Sequence, residues 1–468
     1  MAIINGTNDS EILDSLNSLE ESNIINGFGG NDTLIGGYGD DTLDGGTGSD
    51  FLQGGVGSDT YIVDNLGDRI NDVDEGNGDD GGYDTVISSI TWTLDESLEV
   101  LTLTGNNAIN GTGNDLDNEL RGNQANNLLF GGAGNDFLWG GYGGTDTLIG
   151  GVGDDTYFVD ADDTIINEDS DAGNDVVKSS VSWTLGANLE SLILEGFDAI
   201  DGVGNDLNNY IRGNFGANIL FGGEGNDFLI GLDGDDTLEG GAGDDTLEGG
   251  AGADTLAGGA GNDLYSYVNT DDVIIESDGL AGGIDTVASL VSLTLGDSLE
   301  NLILIGFALL DNPINGTGNE LDNTITGNDS NNILSGKQGN DALLGGGGDD
   351  RIVGGIGDDI ITGGDGADRF YRWRSDTGVD TITDFQVGED LLYFSAKGFG
   401  GNLVKGGVLG EEQFTLGISA TTESNRFIYD TDTGNLFFDI DGTGDSQQVQ
   451  IATLSSGLAL SNTDIFIF

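Results

Sequence analysis

The chain has 468 residues, 86 of them glycine, with 84 acidic against 12 basic side chains and a formal net charge of -72. That balance argues against nucleic acid or an anionic membrane as a partner, since both need a basic face. The absence of Cys and His excludes disulfides, zinc sites, His-based triads and cysteine nucleophiles, so any metal chemistry has to use oxygen donors.

The first residues, MAIINGTNDSEILDSL, hold no Lys or Arg and no apolar run of signal-peptide length. No later stretch is long and apolar enough for a transmembrane helix. Residues 1–26 read as an N-terminal cap, with apolar Ile12, Leu13, Leu16, Ile24 and Ile25 but few glycines. From 27 to 62 a nine-residue unit recurs as GFGGNDTLI, GGYGDDTLD, GGTGSDFLQ and GGVGSDTYI, with Asp32, Asp41, Asp50 and Asp59 at its sixth position. Further blocks follow at 131–158 (Asp136, Asp146, Asp155), 222–266 (Asp227, Asp236, Asp245, Asp254, Asp263) and 336–371 (Asp341, Asp350, Asp359, Asp368). Glycine fills at least two of the first four positions of each copy, which rules out a helix and permits a tight turn with positive φ. Position 8 is large and apolar and reads as the inward side chain of a three-residue strand. A turn with so short a strand cannot bury a core alone, so the copies must stack as a solenoid.

Some copies depart from the pattern. Phe28 and Lys337 replace the second glycine, and GGYGGTDTLI has ten residues, which should bulge a turn. Position 8 is aromatic in the last copy of each block, at Tyr61, Tyr157, Tyr265 and Phe370; these are expected to act as packing plugs where the narrow roll meets a wider segment.

Spacers at 63–130, 159–221 and 267–335 separate the blocks. Each carries a longer repeat, DTVISSITWTLDESLEVLTLTG at 84–105 and its counterparts at 174–196 and 284–306. Alternating Val, Ile, Thr and Trp mark strands, and Trp92 and Trp183 are expected in the core. The spacers end in coils such as GNDLDNELR, where the nine-residue period continues but Asn replaces Asp at Asn118, Asn127, Asn209, Asn218, Asn323 and Asn332. Amide ladders in place of a metal are expected there. Residues 372–468 form a less acidic C-terminal β module, including a predicted hairpin at 426–441.

In register, these copies match G-G-x-G-x-D-x-U-x, and the chain resembles the RTX proteins, secreted proteins with calcium-binding nonapeptide repeats. The resemblance implies an all-β fold, a parallel β-roll or β-helix solenoid with two nonapeptides per coil and calcium between turns on the same side. The sixteen position-6 aspartates would be the ligands, each paired with the one eighteen residues on, such as Asp227 with Asp245. Calcium takes six to eight oxygens, and the copy numbers imply about eight ions or more, with weaker sites at the edges. The stretch Asp380, Ile382, Asp384, Phe385, Gly388 and Asp390 is similar to the segment that follows the repeats in RTX exoproteins, and the closing NTDIFIF is similar to an uncleaved type I secretion signal. An extracellular location and the type I secretion machinery as a partner follow from that resemblance. A last edge strand is the other reading of NTDIFIF.

Other motif readings fail on context. The glycine-rich turns open no helix after a strand, as a nucleotide loop must. Asp376-Thr377-Gly378 and Asp432-Thr433-Gly434 spell an aspartic-protease triplet but lack the following Ser or Thr. Asp439 to Asp445 has some EF-hand spacing but no flanking helices, which leaves at most a weak hairpin calcium site. The expected function is a calcium-dependent structural, cell-surface or matrix protein without catalytic residues, with surface polysaccharide or self-assembly as candidate interactions. A polysaccharide-acting enzyme on the solenoid face and a secretion or folding module of a larger system are the alternatives.

Overall fold

The computed structural model describes residues 2–15, 22–72, 82–161, 164–170, 172–276, 282–306 and 313–468. It forms two compact units, residues 1–232 and 233–468. Leu16, counted above in the N-terminal cap, lies outside the described residues.

The first unit is a parallel β-solenoid. Its strands are short because a glycine turn interrupts the chain every nine residues, and successive strands alternate between two walls. On each wall a strand pairs in parallel with its equivalent one coil away, as Leu34 does with Leu52. The ladder begins at Ala2–Asn5, which pairs with Asn23–Asn26, so the N-terminal segment is already a coil. Along one wall the inward positions form a single column: Ile25, Leu43, Tyr61, Val86, Leu101, Leu120, Leu138, Tyr157, Val177, Leu192, Ile211 and Leu229. All of these are buried. The other wall shows the alternation along Thr33–Tyr38, where buried Leu34 and Gly36 lie between half-buried neighbours, so the strand runs to six residues and not the three expected. The column runs through spacers and Asn coils without a break, and the expected parallel roll is the observed fold.

The second unit has a column of its own, from Leu247 through Tyr265, Val287, Leu302, Ile325, Leu343 and Ile361 to Ile382. The parallel ladder does not stop at the change of composition near residue 372. Leu391–Phe394 pairs in parallel with Arg369–Arg372, and the C-terminal strand Ile465–Ile467 pairs in parallel with Leu391–Phe394. NTDIFIF therefore ends in a buried strand of the solenoid wall. The predicted hairpin is present as Phe427–Tyr429 against Asn435–Phe438. Phe394, Phe399, Phe427 and Phe438 pack beneath it with ring centroids 4.7 to 5.4 Å apart between touching pairs. Among the described residues no helix is long and apolar enough to cross a membrane.

One expectation of the core is corrected. Trp92 and Trp183 are half-buried. Their ladder partners are Gly111 and Gly202, which have no side chain to cover an indole. The ten-residue copy does bulge its turn: Gly143 and Gly144 both take positive φ, and the ladder on either side shifts to pairs such as Leu129 with Leu148 without losing register.

The second glycine of each turn takes positive φ, as at Gly37 (109°), and Phe28 (66°) and Lys337 (79°) are held in the same region. A non-glycine residue there costs on the order of 1–3 kcal/mol, and Lys337 is exposed, so its side chain adds little packing in return. Lys337→Gly should therefore stabilise the calcium-saturated protein by about 1 kcal/mol after allowing for the flexibility glycine adds to the unfolded chain. Urea denaturation in excess calcium measures this; an unchanged or lower midpoint refutes it.

Candidate metal centre

The chemistry of the blocks lies in the two oxygens of each position-6 carboxylate, which have different surroundings. Oδ1 accepts the backbone N–H of the equivalent residue one coil back. Asp41 accepts from Asn23 at 2.6 Å, and Asp50 from Asp32 at 2.7 Å. The same contact joins Asp41 to Asp59, Asp236 to Asp254, Asp245 to Asp263, Asp341 to Asp359 and Asp350 to Asp368. In the ten-residue block it joins Asp136 to Asp155 nineteen residues apart. Asp146 and Asp227 instead accept from Asn127 and Asn209. All sixteen aspartates are buried.

Oδ2 has no such donor. It is buried without a hydrogen-bond partner in Asp32, Asp41, Asp50, Asp136, Asp155, Asp254, Asp263, Asp341, Asp350, Asp359 and Asp368. A methyl group added to Gly36 would collide with Asp41 Oδ2 and lie 2.5 Å from the carbonyl oxygen of Gly54 one coil on. Gly131, Gly240 and Gly345 face the same pair of oxygens in their own coils. A carboxylate oxygen and a carbonyl oxygen thus lie side by side against this backbone, an approach that only a glycine allows. Burying a carboxylate oxygen with no donor is costly, whereas a hard cation uses this donor set directly. The residues fit calcium.

The Asn coils provide an internal control. A methyl on Gly113 would meet Asn118 Oδ1 and the carbonyl of Gly131, the same geometry with an amide. Here the oxygen accepts the N–H of Asn114 at 2.7 Å, and Nδ2 donates to the carbonyl of Leu98 at 3.1 Å. Asn209 and Asn323 repeat both contacts, with Asn205 and Leu189 and with Asn319 and Leu299. Asn332 does so with Asn328 and Ile314. The expected amide ladder is therefore corrected: these Asn side chains staple their own turn to backbone of the coil before, rather than stacking on one another. An amide can donate and accept, and a carboxylate can only accept.

Two further sets of acids escaped the nonapeptide frame. Asp68, Asp84, Asp175, Asp272 and Asp285 continue the rows beyond each block by accepting from Asp50, Asp59, Asp155, Asp254 and Asp263. Asp68 and Asp272 lie eighteen residues after the last aspartate of their row, a spacing that would have revealed them. Asp380 and Asp390 end the rows of the fourth block, and Asp380 also pairs with buried Arg372. The block-end tyrosines are fully buried, as plugs should be, but each hydroxyl also bonds a spacer carboxylate: Tyr61 to Asp72, Tyr157 to Glu168 and Tyr265 to Glu276. Asp376 and Asp432 sit in turns, Asp376 bound to Arg374 and Asp432 donating its N–H to Asp430.

The RTX calcium-binding nonapeptide repeat (4 copies) matches residues 23–61, 112–143, 141–166, 203–238, 230–265, 317–352 and 344–374, which includes the Asn coils. No curated protein matches the chain. Among the solved structures that match is the extracellular lipase LipA from Serratia marcescens, 20% identical, with a TM-score of 0.22. The match covers 64% of this chain and 45% of the lipase, so the chain spans less than half the length of that protein.

Burial raises these carboxyls from 3.8 to about 6 in Asp41, Asp50, Asp155, Asp341 and Asp368, to about 7 in Asp350 and Asp359 and to about 8 in Asp136. A folded value above the unfolded one means that the metal-free fold is favoured below pH 4 and loses that support as pH rises through 6 to 8. With calcium stripped by a chelating resin, β signal in far-UV circular dichroism should grow on acidification from pH 8 to pH 5. Calcium affinity should fall over the same interval as protons compete. Metal-free spectra that are identical at the two pH values refute the linkage.

Proposed function

Since this chain belongs to the RTX calcium-binding repeat proteins, we propose that it is a secreted protein whose roll forms when it meets extracellular calcium, and that its role is structural, at a cell surface or in a matrix. One observation supports this above the others: in Asp32, Asp41, Asp136, Asp341 and Asp350 the Oδ2 atom is buried with no hydrogen-bond donor and lies beside a glycine carbonyl oxygen of the next coil, a donor set that a cation completes. The sixteen aspartates named above are the proposed ligands, at roughly one ion per stacked pair of turns and about eight ions or more in all.

Stability then depends on calcium by mass action. At the weak affinities of extracellular calcium modules the sites fill outside a cell and stay empty at cytosolic calcium levels. A chain carrying a formal charge of -72 repels itself until ions bind, which keeps it extended and exportable. About eight divalent ions leave most of that charge in place, so the folded surface stays strongly acidic. The buried residues that recur along the chain serve the solenoid walls and the turns, and the proposed role is accordingly non-catalytic.

The test is a calcium titration of the stripped protein at pH 7.5, followed by circular dichroism, with magnesium as a parallel series. Conversion from coil to β with calcium alone, and about eight or more ions per chain by elemental analysis, is the expected result. A stripped chain that is already fully β, or that folds equally with magnesium, refutes calcium-driven folding. Turnover of uronate polymers by the folded protein would favour the enzyme reading instead.

A further inference from the structure

The nonapeptide frame ends at Gly54, Gly150 and Gly258, the first glycines of the last copies in the first three blocks. At Gly36, Gly131 and Gly240, earlier in these blocks, the glycine is faced by the aspartate Oδ2 and the next coil's carbonyl. Beside Gly150 the nearest atoms are Asp155 Oδ2 and the Tyr157 hydroxyl. Tyr157 accepts the Gly150 N–H at 2.8 Å and donates to Glu168. Asp175 closes the cluster from the next coil, its Oδ1 taking the Asp155 N–H at 2.8 Å and its own N–H donating to Glu190. Asp155, Glu168 and Asp175 each place a carboxylate oxygen within 4.8 Å of the other two.

The same constellation recurs as Asp59, Asp72 and Asp84 around Tyr61 and as Asp263, Glu276 and Asp285 around Tyr265. The fourth block differs. Phe370 stands where the tyrosines do, and Asp384 takes the N–H groups of Gly363 and Gly364 directly.

We propose that each of the first three blocks ends in a second kind of calcium site, built from the last position-6 aspartate and two spacer carboxylates around a buried tyrosine hydroxyl. The second block carries the argument. Asp155 and Asp175 are 0% and 1% exposed, and the Oδ2 of each is buried without a hydrogen-bond partner, in addition to the gathering of charge itself. Oxygens that all lie within 4.8 Å of one another are close enough to share one calcium ion, whose ligands lie at about 2.4 Å. The spacer carboxylates take over the ligand role of the glycine carbonyl where the stack of turns ends. This site rests on the calcium reading above but uses residues outside the nonapeptide.

The test uses the full chain and its Glu168→Gln/Asp175→Asn variant, loaded with calcium and freed of excess. Native mass spectrometry should find one calcium fewer in the variant, and its thermal midpoint at saturating calcium should fall. An unchanged ion count overturns the proposal. So does a raised midpoint, because it would mean that the cluster holds no cation and is relieved by losing charge. If the double variant does not fold at saturating calcium, Glu168→Gln alone, at a half-buried side chain, is read by the same two criteria. A wild-type chain that neither binds calcium nor folds with it sinks the calcium reading as a whole. A wild-type chain that folds with calcium while the variant keeps every ion sinks only the block-end site.

Discussion

The structure depends on one asymmetric interaction, a buried carboxylate whose two oxygens have different surroundings. One oxygen ties its coil to the one before through a backbone N–H. The other faces a glycine carbonyl, acceptor against acceptor. The first contact sets the stacking register and the second makes the stack conditional, because two acceptor oxygens in a buried space attract only through a proton or a metal cation between them. On the proposed calcium reading, fold and binding site are the same object, and the free energy of ion binding is part of the free energy of folding.

The Asn coils show that this conditional character is chosen by residue type and not imposed by the solenoid. Asn118 and Asp136 occupy equivalent places in adjoining coils, and Asp136 Oδ1 accepts the N–H of Asn118. The amide satisfies itself with one N–H and one carbonyl of the protein, while the carboxylate is left with an oxygen to spare. The apolar column beneath both is continuous, running from Leu120 to Leu138 without a step. Asp coils and Asn coils thus share one core and differ only in how the turn above it is closed.

Ends of repeats are where such a lattice runs short of ligands, and this chain handles its ends in two ways. Three blocks bring in acids from the spacer around a tyrosine. The fourth uses Phe370, the Asp384 carboxylate on two glycine N–H groups and the Arg372–Asp380 ion pair, and passes into a module covered by aromatic packing and the C-terminal strand. In the first arrangement three carboxylates gather within 4.8 Å of one another; in the second Asp384 meets two backbone donors and Asp380 a fixed positive charge.

The sequence by itself determined the turn, the short strand, the stacking and the oxygen-only chemistry, because a nine-residue period repeats its meaning locally: glycine where φ is positive, Asp where a ligand is wanted, an apolar residue where the core lies. It placed all sixteen aspartates in turns that the structure buries in the same way. The tertiary structure decided what depends on neighbours one coil away. It showed that Asn at position 6 bonds backbone and not its own kind, since the spare donor of Asn118 finds Leu98 twenty residues earlier in the chain. It left Trp92 half-covered because its ladder partner is a glycine. It also brought Asp175 to Asp155 across a separation of 20 residues where the equivalent pairs of the first and third blocks are 25 and 22 apart, whereas Glu168 follows Tyr157 by the same 11 residues as Asp72 follows Tyr61 and Glu276 follows Tyr265. Periodic contacts are readable along the chain because each copy repeats them; the contact between the last aspartate of a block and the acid of the next coil is not, because its separation in sequence differs from block to block.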